Sequence, residues 1–202
     1  MFYIVAQISD FALNLIDKTG YVGIFILSAL EGCAIPIPSE VVLPFSGFLS
    51  MSGRFSLLVV IFVATVANLV GAIILFWVGK SEGRWFLEKY GKYVLINNHD
   101  IQKGDDWFKK YGDRAIFWSR MLPVVRTYIS LPAGIAEMNF YKFSLYTFFG
   151  SLPWNAALAI IGYKAGENWR VLENYFRKLD LFIVILIVVL VIWYVRRHLK
   201  KK

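Results

Sequence analysis

Two stretches of the chain carry no charge for longer than a membrane-crossing helix needs: Ser56–Gly79 (SLLVVIFVATVANLVGAIILFWVG) over 24 residues and Phe143–Tyr163 over 21. About 20 residues at roughly 1.5 Å rise cross a hydrocarbon core of about 30 Å, so these runs predict transmembrane helices at 56–79 and 140–163. A shorter run at 181–195 (LFIVILIVVLVIWYV) is flanked by Asp180 and Arg196, whose polar ends can reach the interfaces, and it predicts a third span. Residues 1–20 have a different period. Gln7, Asp10, Asn14 and Asp17 recur at steps of three and four among Phe2, Val5, Ile8, Phe11, Ala12, Leu15 and Ile16, which predicts an amphipathic helix on the membrane surface, a half-span being the alternative. Asp10, Asp17 and the lack of a basic start argue against a cleavable signal peptide.

Between these elements lie two apolar segments interrupted by polar residues. In 21–53 the uncharged pieces are 10, 8 and 13 residues, divided by Glu31 and Glu40 and broken by Pro36, Pro38 and Pro44. No piece spans alone, and the prolines remove backbone donors, so the segment predicts a re-entrant hairpin that turns near 36–40 and leaves by the face it entered. Irregular backbone at that depth has to face protein or a wet cavity. The segment 115–138 (AIFWSRMLPVVRTYISLPAGIAEM) repeats the plan, with Arg120 and Arg126 as the interruptions and Pro123 near the turn. Shifting the chain by 87 positions superposes Pro36 on Pro123, Gly47 on Gly134, Met51 on Met138 and Asn68 on Asn155. The hairpins would enter from opposite faces and each precede a span, which is an inverted repeat. Such repeats place a site near the bilayer midplane between discontinuous helices.

The expected architecture is therefore an all-α polytopic membrane protein with a single membrane domain over 1–202. Its parts are an amphipathic helix (1–20), hairpin (21–53), span (56–79), cytoplasmic amphipathic loop (80–114), hairpin (115–138), span (140–163), span (181–195) and basic cytoplasmic tail (196–202). Composition fits: the chain is 58% hydrophobic and only 18% charged. The net charge of +8 reads as orientation rather than nucleic-acid binding, because eight Lys or Arg fall in 80–114 and five in the tail. Placing both in the cytoplasm satisfies the positive-inside rule at every span. Cys33 is the one cysteine, and His99 and His198 lie in polar stretches, so no disulfide, metal or cofactor site is expected. A second copy of the chain is a candidate partner.

The chemistry concentrates in the interruptions. A charge at the centre of a membrane helix costs about 2.5 to 3.5 kcal/mol on insertion scales, so Glu31, Glu40, Arg120 and Arg126 have to be paired, hydrated or both. Under the 87-residue offset Glu40 falls on Thr127, beside Arg126, and Glu31 on Trp118, two residues from Arg120, which sets acids of one hairpin against bases of the other. Structural salt bridges would explain this, but buried ion pairs stabilise poorly compared with apolar packing, and a functional site is the better explanation. Asn68 and Asn155 can bond hairpin backbone or each other's helix. Trp154 and Trp169 read as interfacial anchors or packing residues.

The sequences EGCAIPIPSE (31–40) followed by Gly47, and RMLPVVR (120–126) followed by PAG (132–134), resemble the DedA family, over roughly 21–169. That family is related to the VTT-domain lipid scramblases of eukaryotes. The resemblance implies two re-entrant hairpins and movement of lipid between leaflets, in bacterial members of undecaprenyl phosphate, the carrier lipid of wall synthesis, or of phosphatidylethanolamine. It implies a multi-pass protein of a bacterial cytoplasmic membrane, with a lipid as substrate. It assigns Arg120 and Arg126 to the site, Glu40 as the second acid and Glu31 as the first. The chain departs from many relatives in lacking an acid within the span after the first hairpin, where it reads Asn68–Ala72.

The residues agree with that inheritance. A polyprenyl phosphate needs a polar path for its head and an opening to lipid for its tail. Arginine binds phosphate oxygens bidentately and keeps its charge in a dry site, and neighbouring carboxylates can hold it when phosphate is absent and take up a proton when phosphate displaces them. Three other readings stay open. A proton-coupled exporter of small solutes would need an enclosed cavity. A lipid phosphatase would rest on Ser39 beside Glu40 as nucleophile, without a nearby His. A scaffold role needs no site chemistry at all.

Overall fold

The computed structural model describes residues 2–35, 37–83, 114–122 and 125–166. Pro36, Pro123, the loop at 84–113, Trp169, both histidines, the span expected at 181–195 and the tail at 196–202 lie outside them. All regular structure among the described residues is helical, and two helices, Leu57–Ser81 and Phe140–Ala165, are long and apolar enough to cross a membrane.

Glycine and proline set the breaks. Helix α1 (Phe2–Thr19) ends at Gly20, whose φ of 65° an L side chain rarely adopts, and α2 (Tyr21–Gly32) follows at once. The α2 terminus closes with Ala34 in the left-handed region, its N–H bonded to the Glu31 carbonyl, ahead of Pro38 in extended conformation. Pro38 then caps α3 (Ser39–Met51), which carries Pro44 inside it. Helices α2 and α3, 12 and 13 residues, are too short to cross the hydrocarbon core. Helix α4 (Leu57–Val78) runs into a π turn (Gly79–Gly83).

The segment 115–138 forms three short pieces, α5 (Arg114–Ser119), α6 (Val125–Tyr128) and α7 (Ser130–Ile135). Pro123 cannot supply a helix N–H, and after Ser119 the turn is held by N–H bonds from Arg120, Met121 and Leu122 to carbonyls three or four residues back. The last helix, α8 (Phe140–Ala165), starts at Asn139, whose side chain accepts from the Lys142 N–H at 3.2 Å.

Helix α2 lies along α4, α3 along α8, α7 along α4 and its π turn, and α4 against α8. Three of these contacts bring backbones together, the first being α2–α4, where a Cβ on Gly71 would strike the Ala29 carbonyl. A Cβ on Gly47 would strike the Ala159 carbonyl, and one on Gly134 would strike the Phe76 carbonyl. Apolar packing divides into two clusters. One gathers Ile16, Ile24, Leu27, Val42, Leu43, Val60, Ala64, Leu158 and Ala159; the other gathers Ala72, Phe76, Ile116, Ala133, Met138 and Phe143, with Phe76 stacked on Phe143 at 4.5 Å. Asn68 on α4 and Asn155 on α8 fall between the clusters. Asn68 stands about 15 Å from either end of α4, close to mid-depth for a helix crossing a bilayer.

Because the α3–α8 and α7–α4 seams admit no side chain, Gly47→Val and Gly134→Val should each destabilise by about 1 to 3 kcal/mol. Thermal unfolding in detergent checks this, with Ser52→Ala on the exposed turn as the silent control.

Candidate functional site

The loop after α2 returns the chain so that Glu31, in the last turn of α2, and Ser39, in the first turn of α3, reach the same group. That group is Arg126 on α6. Its Nη2 donates to Glu31 Oε1 and to Ser39 Oγ, and lies 3.7 Å from Glu40 Oε1. Ser39 in turn donates to Glu40 Oε2 at 3.2 Å. Glu31 is 6% exposed and Arg126 7%, so this ion pair is buried on both sides.

Asparagine fixes the acid from behind. Asn68 Nδ2 donates to the Ser28 carbonyl at 2.8 Å and to Glu31 Oε2 at 3.3 Å. Asn155 Nδ2 donates to Asn68 Oδ1 at 3.0 Å and to Thr65 Oγ1 at 3.2 Å. A continuous polar chain thus runs from Thr65 and Asn155 through Asn68 and Glu31 to Arg126, Ser39 and Glu40. Two of its links, Ser39–Arg126 and Asn68–Asn155, join residues 87 positions apart.

Arg120 is held differently. Its Nη1 donates to the Arg126 carbonyl at 2.7 Å, and its Nη2 to Ser130 Oγ at 2.8 Å and Thr147 Oγ1 at 3.2 Å. Among the described residues no carboxylate lies within 4 Å of it, and its Nε is buried without an acceptor. The guanidinium stands 5.9 Å from the Phe143 ring centroid. Of the two bases that the acids were expected to face, Glu31 pairs with Arg126, since α2 packs along α4 and delivers its last turn there, while Arg120 after α5 hydrogen-bonds only neutral acceptors of α6, α7 and α8 and shares a cleft with Glu31.

A cleft of about 10 Å³, room for about one water molecule, is bounded by Glu31, Gly32, Asn68, Arg120, Arg126, Thr127 and Ser151. Of the remaining expected site residues, Gly47 and Gly134 form the helix seams, Pro38 caps α3, and Pro36 and Pro123 lie outside the described residues. Sequence reasoning passed over Ser130 and Thr147, because an isolated hydroxyl in an apolar helix carries no spacing signal. It read Trp154 as an interfacial anchor or a packing residue; the ring packs against the first apolar cluster, and the Arg126 guanidinium lies 5.0 Å from its centroid, a contact the sequence did not indicate.

The VTT domain family matches residues 37–164, which covers α3 to α8 and most of the site. The chain belongs to this family. Two relatives named undecaprenyl phosphate transporter A are similar to it: one from Bacillus subtilis, 37% identical over 90% of each chain, and one from Staphylococcus aureus, 32% identical over 93% of this chain and 94% of the relative. A relative from Lactococcus lactis, 32% identical over 96% of this chain and 92% of its own, is named alkaline phosphatase-like protein. No solved structure matches the chain. This VTT-domain chain is a membrane protein by its family and its two spanning-length helices.

Removing one partner of a buried pair leaves the other charge uncompensated, at a cost of about 3 to 5 kcal/mol. Glu31→Gln is expected to destabilise by that order, Glu40→Gln by less, and the pair Glu31→Gln with Arg126→Gln by less than the sum of its members. A double-mutant cycle on unfolding free energies in detergent checks the coupling.

Proposed function

We propose that this chain is a lipid translocase that moves undecaprenyl phosphate between the leaflets of a bacterial cytoplasmic membrane, returning the carrier lipid for wall synthesis. Arg120 and Arg126 receive the phosphate head, while Glu31 and Glu40 are charge partners that take up a proton when the head displaces them. The observation that carries this reading is the state of Arg126, a buried guanidinium whose ligands, a carboxylate and a hydroxyl, present the same kind of oxygens that a phosphate does. Two relatives named for undecaprenyl phosphate transport support the choice of lipid.

The inverted-repeat arrangement belongs to the same proposal. In an object with two-fold symmetry, a residue touches its own equivalent only at the axis. Contacts between Ser39 and Arg126, and between Asn68 and Asn155, match that rule at the offset read from the sequence, with α2–α3 and α5–α7 as the paired re-entrant segments. Pro38, Gly47 and Gly134, with Pro36 and Pro123 by sequence, shape those segments. The two asparagines sit where the halves meet. In this conformation the cleft is too small for a phosphate, so the head enters only as Glu31 withdraws from Arg126. The tail stays in lipid, and the basic C-terminus lies in the cytoplasm by the positive-inside rule.

Two further readings have an observation behind them. Phosphatidylethanolamine or a general phospholipid also presents a phosphate, and head chemistry at Arg126 does not separate it from undecaprenyl phosphate. A phosphatase would use Ser39, which donates to Glu40 and accepts from Arg126; the relative named alkaline phosphatase-like protein prompts the test. A small-solute exporter has no separate observation behind it, since the size of the cleft excludes a solute and a phosphate head alike in this conformation.

In liposomes reconstituted with the full chain, labelled undecaprenyl phosphate should exchange leaflets, and Arg126→Lys should slow it about ten-fold, since lysine cannot present the planar fork. Normal rates in that variant would remove Arg126 from the mechanism. Labelled phosphatidylethanolamine in the same vesicles separates the two lipids. Incubation with undecaprenyl pyrophosphate should release no inorganic phosphate; release abolished by Ser39→Ala would establish the phosphatase instead.

A further inference from the structure

The Arg126 guanidinium stands over a neighbour that offers it no hydrogen-bond acceptor, the ring of Trp154, with Cζ 5.0 Å from the ring centroid. From this contact we propose that Trp154 is a positioning residue for headgroup transfer, the face against which Arg126 turns between Glu31 and the phosphate. The proposal rests on the translocase reading above.

The physical argument turns on what kind of support a mobile cation needs. A second carboxylate placed against Arg126 would stabilise its charge but compete with phosphate for the same N–H groups. An indole face attracts the cation through its quadrupole and accepts no N–H in the guanidinium plane, so the fork stays available while its desolvation is partly offset. Trp154 is half-buried and packs against the apolar cluster formed around α1 to α4 and the end of α8, which fixes the ring. Its Nε1 is buried without an acceptor, so no hydrogen bond among the described residues explains why an indole stands there.

Chain position strengthens the case. The next residue, Asn155, holds Asn68, and Asn68 holds Glu31. One turn of α8 therefore reaches both members of the ion pair, the acid through two amides and the base through an aromatic face. A shift of α8 relative to α2 alters their separation directly.

The test compares Trp154→Phe, which keeps an aromatic face, with Trp154→Leu, which keeps apolar volume only, using labelled undecaprenyl phosphate in liposomes containing the full chain. Trp154→Leu should raise the half-saturating lipid fraction about ten-fold while the maximal rate changes less, and Trp154→Phe should stay within about two-fold of wild type, as a cation–π contribution of this size implies. Thermal unfolding monitors integrity. Should the leucine variant unfold, Trp154→Met fills the site without a ring and serves in its place. The inference is overturned if the folded leucine or methionine variant saturates like wild type, or if phenylalanine is impaired as severely as they are. Arg126→Lys and wild type in the same vesicles separate the failures: an impaired lysine variant with a normal leucine variant sinks the role of Trp154 alone, normal transport in both removes Arg126 from the mechanism along with Trp154, and no leaflet exchange by wild type sinks the translocase reading.

Discussion

A guanidinium that cannot shed its proton has been taken out of water, and much of the described architecture follows from having to supply it with acceptors. Arg126 lies on α6, a helix of four residues, too short to provide acceptors from its own side chains. Its ligands come from α2 and α3, on either side of a loop nearly a hundred residues earlier in the chain. For Glu31 and Ser39 to converge there, α2 has to stop at Gly32 and the chain has to turn back before α3. Ala34 in the left-handed region and the extended Pro38 accomplish that turn. Stability alone does not account for the investment, since an apolar cluster of equal volume at this position would stabilise as much or more.

The pair is buried within a layer, and the layer has a definite place. On α4, Ala64 belongs to one apolar cluster and Ala72 to the other, with Asn68 between them; on α8, Phe143 and Leu158 bracket Asn155 in the same manner. The polar groups thus occupy a band at mid-depth, closed above and below by side chains that exclude water. Hydroxyls of Thr65, Ser130 and Thr147 line that band and satisfy donors that would otherwise be left bare. The seams at Gly47 and Gly134 bring α3 onto α8 and α7 onto α4 at backbone contact, so each short helix is anchored to a long one. Short helices that cannot cross a bilayer are held in place by helices that can.

Charge and proline placement made the main outline legible before any coordinates. The two long uncharged runs fall within α4 and α8, the broken segments contain the short helices, and three of the four interrupting charges meet at one point. The asparagines were visible as a matched pair at the 87-residue offset, although their direct contact was not. The offset set Glu31 near Arg120 without choosing its partner; the two line one cleft, and the way α2 lies along α4 delivers the carboxylate to Arg126. At Trp154 the sequence left anchor and packing residue open, and the ring packs on the first cluster; the contact with Arg126 carried no sequence signal. Ser130 and Thr147 were illegible for a plain reason: a single hydroxyl in an apolar helix commonly bonds its own backbone, as Ser46, Ser50 and Thr65 do here.

The two arginines, equal on paper, are unequal in their surroundings. Arg120 is pinned by the carbonyl of Arg126, by Ser130 and by Thr147, all neutral, so its charge is located but makes no ion pair within 4 Å among the described residues, and Glu31 faces it only across the cleft. Arg126 is neutralised by Glu31 and reached by Glu40 from slightly farther away. On the translocase reading these differences assign different work to each. A fixed cation with no carboxylate in direct contact attracts an anionic head without having to move, and by holding the Arg126 carbonyl it also sets the position of α6. A neutralised cation with exchangeable ligands accepts the head only when its carboxylate lets go, which makes entry conditional. Because both cations border the same cleft, an arriving phosphate would complete the charge of the first and displace the partner of the second, so binding and release of Glu31 become one event.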